Sequence, residues 1–108
     1  MTPELRRAIL IAEHSELDSV RDALADLRDE KMKPDRFEVL VRLAHPNGAE
    51  MVLTAMRDPM IQAAHIDGDW LVRRFTGQTL TGGFAQYRMR AFPSADAALE
   101  HVITLLDK

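Results

Sequence analysis

A chain of 108 residues, of which 46% are hydrophobic and 29% charged, has the composition of one folded domain, which excludes a disordered tail. It contains no cysteine, which excludes disulfides, thiolate metal sites and cysteine nucleophiles, and fits a reducing, cytoplasmic compartment. The net charge of −3 does not favour a protein dedicated to nucleic-acid binding. No apolar run approaches the ~20 residues that span a membrane, so neither a nucleic acid nor a membrane is expected as a partner.

The first predicted element is a helix over residues 3–14. Thr2 is suited to cap this helix, and Pro3 fits its first position because the missing N–H has no partner there anyway. The rival interpretation is a short buried strand over residues 8–12, since periodicity alone does not separate helix from strand in so short an apolar run. The capping signal favours the helix.

The second predicted element is an amphipathic helix. Apolar residues recur at helical spacings of three and four: Leu17, Val20, Leu24 and Leu27. Charged residues occupy the opposite side. Pro34 disfavours helical geometry at the residue before it, so the helix is predicted to end near Met32 or Lys33.

The central part of the chain is predicted to form strands. Four apolar residues follow each other at a period of two: Phe37, Val39, Val41 and Leu43. Asn47-Gly48 then gives the signal of a two-residue hairpin turn. Residues 49–56 fit either a helix or a second strand, and the strand is favoured because a helix that short is marginal.

A predicted antiparallel meander of four to five strands continues to residue 92. Its later part comprises residues 60–66, the turn signal Asp67-Gly68, and two aromatic-rich runs over residues 69–75 and 84–92. These two runs flank a loop over residues 76–83 that is rich in Gly and Thr. The loop matches no phosphate-binding motif, so we expect a hairpin tip there and not an anion site.

The last predicted element is a C-terminal helix capped by Ser94. Its apolar stripe comprises Ala98, Leu99, Val102, Ile103 and Leu106. The expected fold is therefore a single α+β domain over residues 1–108. It has an N-terminal helical segment, the antiparallel meander and the C-terminal helix, with the helices on one face of the sheet.

The other face of this sheet is expected to be open to solvent and lined by arginine. In the predicted register, Trp70 and Val72 face the core on one strand. Tyr87, Met89 and Ala91 do so on the next. The arginines that then project from the open face are Arg42, Arg73, Arg88 and Arg90. Guanidinium groups bind carboxylates through paired hydrogen bonds, so these four are the predicted partner-binding residues.

No motif of catalytic or metal-binding grade occurs in the sequence. The four histidines lack the spacing that places two metal ligands on one helix face. His65 and Asp67 share a strand face, but Asp67 belongs to a predicted turn, so a solvated pair is expected. We therefore predict no catalytic residue, metal or cofactor. The alternative is a small pocket between sheet and helices near His65, Trp70 and Arg74.

Together these features predict a small non-catalytic protein-interaction or regulatory module. Its partner is expected to be another protein or a second copy of the chain, bound through the open sheet face or an edge strand. The order helix, meander, helix resembles small bacterial domains such as secretion chaperones and toxin-immunity proteins, in architecture alone. The first alternative is a small enzyme or ligand-binding domain, and the second is weak nucleic-acid binding through the arginine face.

Overall fold

The computed structural model describes residues 1–56, 60–78 and 85–107, and these form five helices and three strands. The elements are α1 (Pro3–Glu13), α2 (Asp18–Arg28), α3 (Pro34–Ala44), α4 (Gly48–Ala55), β1 (Ile61–Ile66), β2 (Asp69–Gln78), β3 (Ala85–Phe92) and α5 (Ala95–Leu106). The class is α+β, but the predicted meander of four to five strands is wrong, because the sheet has three strands. The chain divides into two compact units, Met1–Val52 and Leu53–Lys108.

Helix α1 begins where the capping signal predicted it. The backbone N–H of Leu5 donates to Thr2 Oγ1 at 3.1 Å, and Pro3 occupies the first helical position. The buried residues of this helix are Ala8, Leu10, Ile11 and Ala12. The helical interpretation of this segment is therefore confirmed over the alternative strand.

Helix α2 is also confirmed, but it ends at Arg28, earlier than the position of Pro34 predicted. Two residues later the backbone of Glu30 turns into the left-handed region, with φ of 59°. The N–H of Lys31 then donates back to the carbonyl of Asp26 at 2.8 Å. This geometry closes many helices and usually involves Gly, so a Glu at that position gave no signal in the sequence.

Helix α3 replaces the strand predicted over residues 37–43. Phe37 and Val41 are buried, whereas Val39 is 53% exposed and Leu43 is 76% exposed. The buried pair is separated by four residues, so the burial follows the period of a helix and not the period of two expected of a strand. The apparent period of two arose because Val39 and Leu43 are apolar but exposed, and the sequence alone does not distinguish exposed apolar residues from buried ones.

Helix α4 replaces the other predicted strand, over residues 49–56, and the Asn47-Gly48 turn that was to precede it. Gly48 is the first residue of this helix. A Cβ added to Gly48 would lie 2.7 Å from Ile11 Cδ1 and 3.0 Å from Ile11 Cγ2, closer than packed atoms approach each other. Glycine at this position is therefore explained by the close approach of α1 and not by turn geometry.

The second unit contains an antiparallel sheet in the order β1-β2-β3. The predicted strand near residues 60–66 and the turn at Asp67-Gly68 are both confirmed. Asp67 and Gly68 have φ angles of 52° and 84°, as a two-residue hairpin of matching twist requires. One face of the sheet packs against α5 in a hydrophobic cluster. The buried residues of this cluster are Leu53, Ile61, Trp70, Val72, Ala98 and Val102. Most of the predicted loop at 76–83 lies outside the described residues; residues 76–78 belong to β2.

Replacing Gly68 with alanine is expected to lower the free energy of unfolding by about 1 kcal/mol, because a Cβ disfavours the positive φ at this position. Gly77 in β2 provides the matched control. A Cβ there meets nothing within 4 Å, and its φ lies outside the left-handed region. Urea unfolding of Gly68→Ala and Gly77→Ala measures both effects, and an equal loss for the two variants would contradict the turn assignment.

Candidate functional site

The antiparallel register assigns each strand residue to one of two faces of the sheet. Trp70 is paired with Phe92, and Arg73 with Met89. The helix face, which packs with α5, comprises Ile61, Ala63, His65, Trp70, Val72, Arg74, Arg88, Arg90 and Phe92. The open face comprises Gln62, Ala64, Ile66, Asp69, Leu71, Arg73, Phe75, Tyr87, Met89 and Ala91. The positions of Trp70 and Val72 on the core side are as predicted.

The four predicted partner-binding arginines do not share a face. Arg73 lies on the open face, whereas Arg88 and Arg90 lie on the helix face, where both are exposed at the outer strand. Arg42 belongs to α3 and is not part of the sheet. The predicted orientation of β3 is reversed. The sequence pattern predicts Tyr87 and Met89 on the core side, but the register pairs them with Phe75 and Arg73, which places them on the open face.

Arg73 is instead surrounded by aromatic rings on the open face. Its guanidinium carbon lies 4.9 Å from the centroid of the Phe75 ring and 5.1 Å from that of Tyr87. Those two rings meet edge to face, with centroids 6.0 Å apart. Arg73 Nη2 also donates a hydrogen bond to Gln62 Oε1. The guanidinium is thus oriented by a neutral amide and by the electron-rich ring faces, and none of these contacts neutralises its positive charge.

The open face is apolar around this arginine. Ile66, Tyr87 and Met89 are each 51–54% exposed, which is high for side chains of this size. A shallow depression of about 200 Å³ lies on the same face and is lined by Gln62, Ala63, Ala64, Ile66, Leu71, Arg73 and Met89. Pockets for small ligands usually have volumes of about 300–1,000 Å³. The depression therefore suits a side chain of a larger partner better than an enclosed small molecule.

The three residues proposed for a ligand pocket do not converge. The rings of His65 and Trp70 stack with centroids 4.6 Å apart and planes within 4° of parallel, but Trp70 is buried in the core of the second unit. Arg74 shares the helix face four residues further along β2, about 13 Å away at the usual rise of a strand. The stacked pair thus belongs to the packing of the hairpin, and Arg74 lies apart from it.

A serine–histidine pair that no pattern in the sequence predicts lies in the first unit. Ser15 Oγ is 2.7 Å from His45 Nε2, and it also accepts a hydrogen bond from the N–H of Leu17. The carbonyl of Ser15 accepts from Arg21 Nε at 3.0 Å. Nucleophilic catalysis requires an accessible hydroxyl, but Ser15 is 1% exposed. The pair therefore ties the α1–α2 connection to the end of α3 and has the character of a structural contact.

Across residues 1–56, 60–78 and 85–107, no group of three His, Cys, Asp or Glu side chains is placed to hold a metal ion. In the same part of the chain, no helix combines the length and the apolar character needed to cross a membrane. Comparison of the chain with protein-family models, curated proteins and solved structures finds no match. Its function must therefore be inferred from its own side chains.

Proposed function

We propose that this chain is a non-catalytic protein-interaction module whose contact surface is the open face of the three-stranded sheet. One observation carries the proposal. Large apolar side chains, Ile66, Tyr87 and Met89, are half exposed on a single face that also contains an oriented arginine. Several large apolar side chains exposed on one face of a protein commonly mark a binding surface.

The residue types on this face support a protein partner. Tyr, Phe, Met and Arg are enriched at the centres of protein interfaces, and the open face contains one or more of each: Arg73, Phe75, Tyr87 and Met89. The rings hold the arginine side chain in place, so less conformational entropy is lost when it pairs with a partner group. This surface differs from the arginine-lined face predicted from the sequence, because it is mainly apolar. The lack of cysteine fits a reducing compartment, so we expect the module to act in the cytoplasm.

A second candidate function is binding of single-stranded nucleic acid, in which bases would stack on Tyr87 and Phe75 beside Arg73. The exposed ring of Tyr87 favours it. The charges support it less, because Arg73 and Asp69 are the charged residues of the open face and their charges cancel. Anisotropy of a labelled oligonucleotide at low salt tests this candidate; binding that Tyr87→Ala abolishes would favour it over a protein partner.

Site-specific photocrosslinking in the native cell tests the proposed function. A photoreactive phenylalanine analogue in place of Tyr87 places the probe on the open face, and the same analogue in place of Arg88 places it one residue along β3 on the other face. We expect protein adducts from position 87 and few from position 88. An equal yield from both positions, or no adduct from position 87, would contradict the proposed surface. The mass of each adduct separates a second copy of this 12.2 kDa chain from a different partner.

A further inference from the structure

We propose that the occupant of the open face is a second copy of this chain, which forms a two-fold symmetric dimer with its sheet packed face to face on the first. This inference rests on the proposed function, since it assumes that the open face is a protein-contact surface. The strands of the two copies would run antiparallel across the interface. Small soluble proteins most often associate in this two-fold manner, with one patch used by both copies.

The charges of the open face select the symmetry axis. Asp69 and Arg73 lie on the same strand, β2, two residues to either side of Leu71. A two-fold axis that passes beside Leu71, perpendicular to the strand and in the plane of the interface, reverses the strand direction. It therefore places Arg73 over the partner's Asp69, and Asp69 over the partner's Arg73. About this axis the open face is thus complementary to itself in charge.

Other arrangements do not give this pairing. An axis parallel to the strands would place Arg73 over the partner's Arg73, and like charges facing each other are destabilising. The residues that flank Leu71 across the sheet also favour the perpendicular axis. Ala64 of β1 and Ala91 of β3 are the cross-strand neighbours of Leu71. These small side chains permit the spacing of about 10 Å at which two sheets pack.

The size of the face sets the expected strength of the dimer. Three strands spaced about 4.8 Å apart, each contributing about six residues, present a surface of roughly 14 by 20 Å. Such a patch, roughly 280 Å² per copy, is well below the ~800 Å² per partner of a standard specific interface, so it supports weak association only. The dimer is therefore expected to exchange with the monomer, and its population to rise with concentration.

Sedimentation equilibrium of the purified chain and two charge-reversal variants tests the proposal. Asp69→Arg places two positive charges on the open face, and Arg73→Asp places two negative charges there. Each variant alone is expected to associate at least about tenfold more weakly than the native chain, since both ion pairs become repulsive. An equimolar mixture of the two variants is expected to form a heterodimer, because each Arg then meets an Asp of the other variant. Arg88→Asp, on the other face, is the control and is expected to leave association unchanged.

The outcomes separate this inference from the proposed function. Recovery of association in the mixture supports the dimer, and it also shows that the variants are folded. A native chain that stays monomeric up to about 1 mM, where even weak pairs form, would overturn the dimer. In that case an adduct of a different mass from position 87 would still support the proposed function. A native dimer that both variants retain would also overturn this geometry, since it would place the contact elsewhere, such as the free edge of β1.

Discussion

Replacement of Phe37 with alanine is expected to lower the free energy of unfolding by about 3–5 kcal/mol, the usual cost of removing a buried aromatic ring. Phe37 is fully buried in the first unit and belongs to the α3 helix. Truncation at Cβ removes the ring from the core and leaves a cavity that the surrounding helices fill only in part. Urea unfolding of the variant measures the loss.

The same helix contains the controls for this prediction. Val41→Ala, at a buried position, is expected to destabilise the chain strongly, whereas Val39→Ala and Leu43→Ala, at exposed positions, are expected to change stability by no more than about 0.5 kcal/mol. A strand over these residues would bury all four side chains on one face. Comparable losses at Phe37 and at the two exposed positions would therefore contradict the helix.

Replacement of Gly48 with alanine is expected to lower the free energy of unfolding by about 1–3 kcal/mol, the range typical of an overfilled core. The new Cβ would lie 2.7 Å from Ile11 Cδ1 and 3.0 Å from Ile11 Cγ2, and Ile11 is itself buried, so its side chain would have to shift within the core. The greater helix propensity of alanine offsets at most about 1 kcal/mol of this strain.

A second substitution shows whether the loss of stability comes from the contact with Ile11 or from some other effect of alanine at the first position of α4. Ile11→Val removes the Cδ1 atom, and alone it is expected to cost about 0.5–1.5 kcal/mol. Combined with Gly48→Ala it relieves the closest contact, so the double variant is expected to be more stable than the two separate losses imply. The relief is partial because Ile11 Cγ2 would remain 3.0 Å from the added Cβ. Strictly additive losses would show that the two residues do not interact.

Local signals in the sequence predicted the elements whose cause is local. Thr2 and Ser94 cap α1 and α5, and both caps are present, because a hydroxyl that accepts from the backbone a few residues ahead depends on nothing distant. Asp67-Gly68 forms the predicted turn for the same reason. Asn47-Gly48 carried an equally strong turn signal, but glycine is needed there because the side chain of Ile11, 37 residues earlier in the chain, leaves little room for a Cβ. A single sequence does not reveal such a contact.

The candidate site was predicted less well, because an outer strand shows little difference in burial between its two faces. In β3, the residues Tyr87, Arg88, Met89 and Arg90 are all exposed. The rule that apolar residues lie inside holds in one direction only, since much of a protein surface is apolar. Tyr87 and Met89 were therefore assigned to the core, and the apolar character of the open face became evident only from the pairing of Arg73 with Met89.

The single tryptophan of the chain, Trp70, lies in the core of the second unit, whereas α1, α2 and α3 lie in the first. Its fluorescence emission therefore reports the unfolding of one unit, while helical circular dichroism is dominated by the other. Coincident transitions from the two signals would mean that the units melt cooperatively, and separate transitions would give each unit its own midpoint. The native chain thus contains an intrinsic probe that needs no added label.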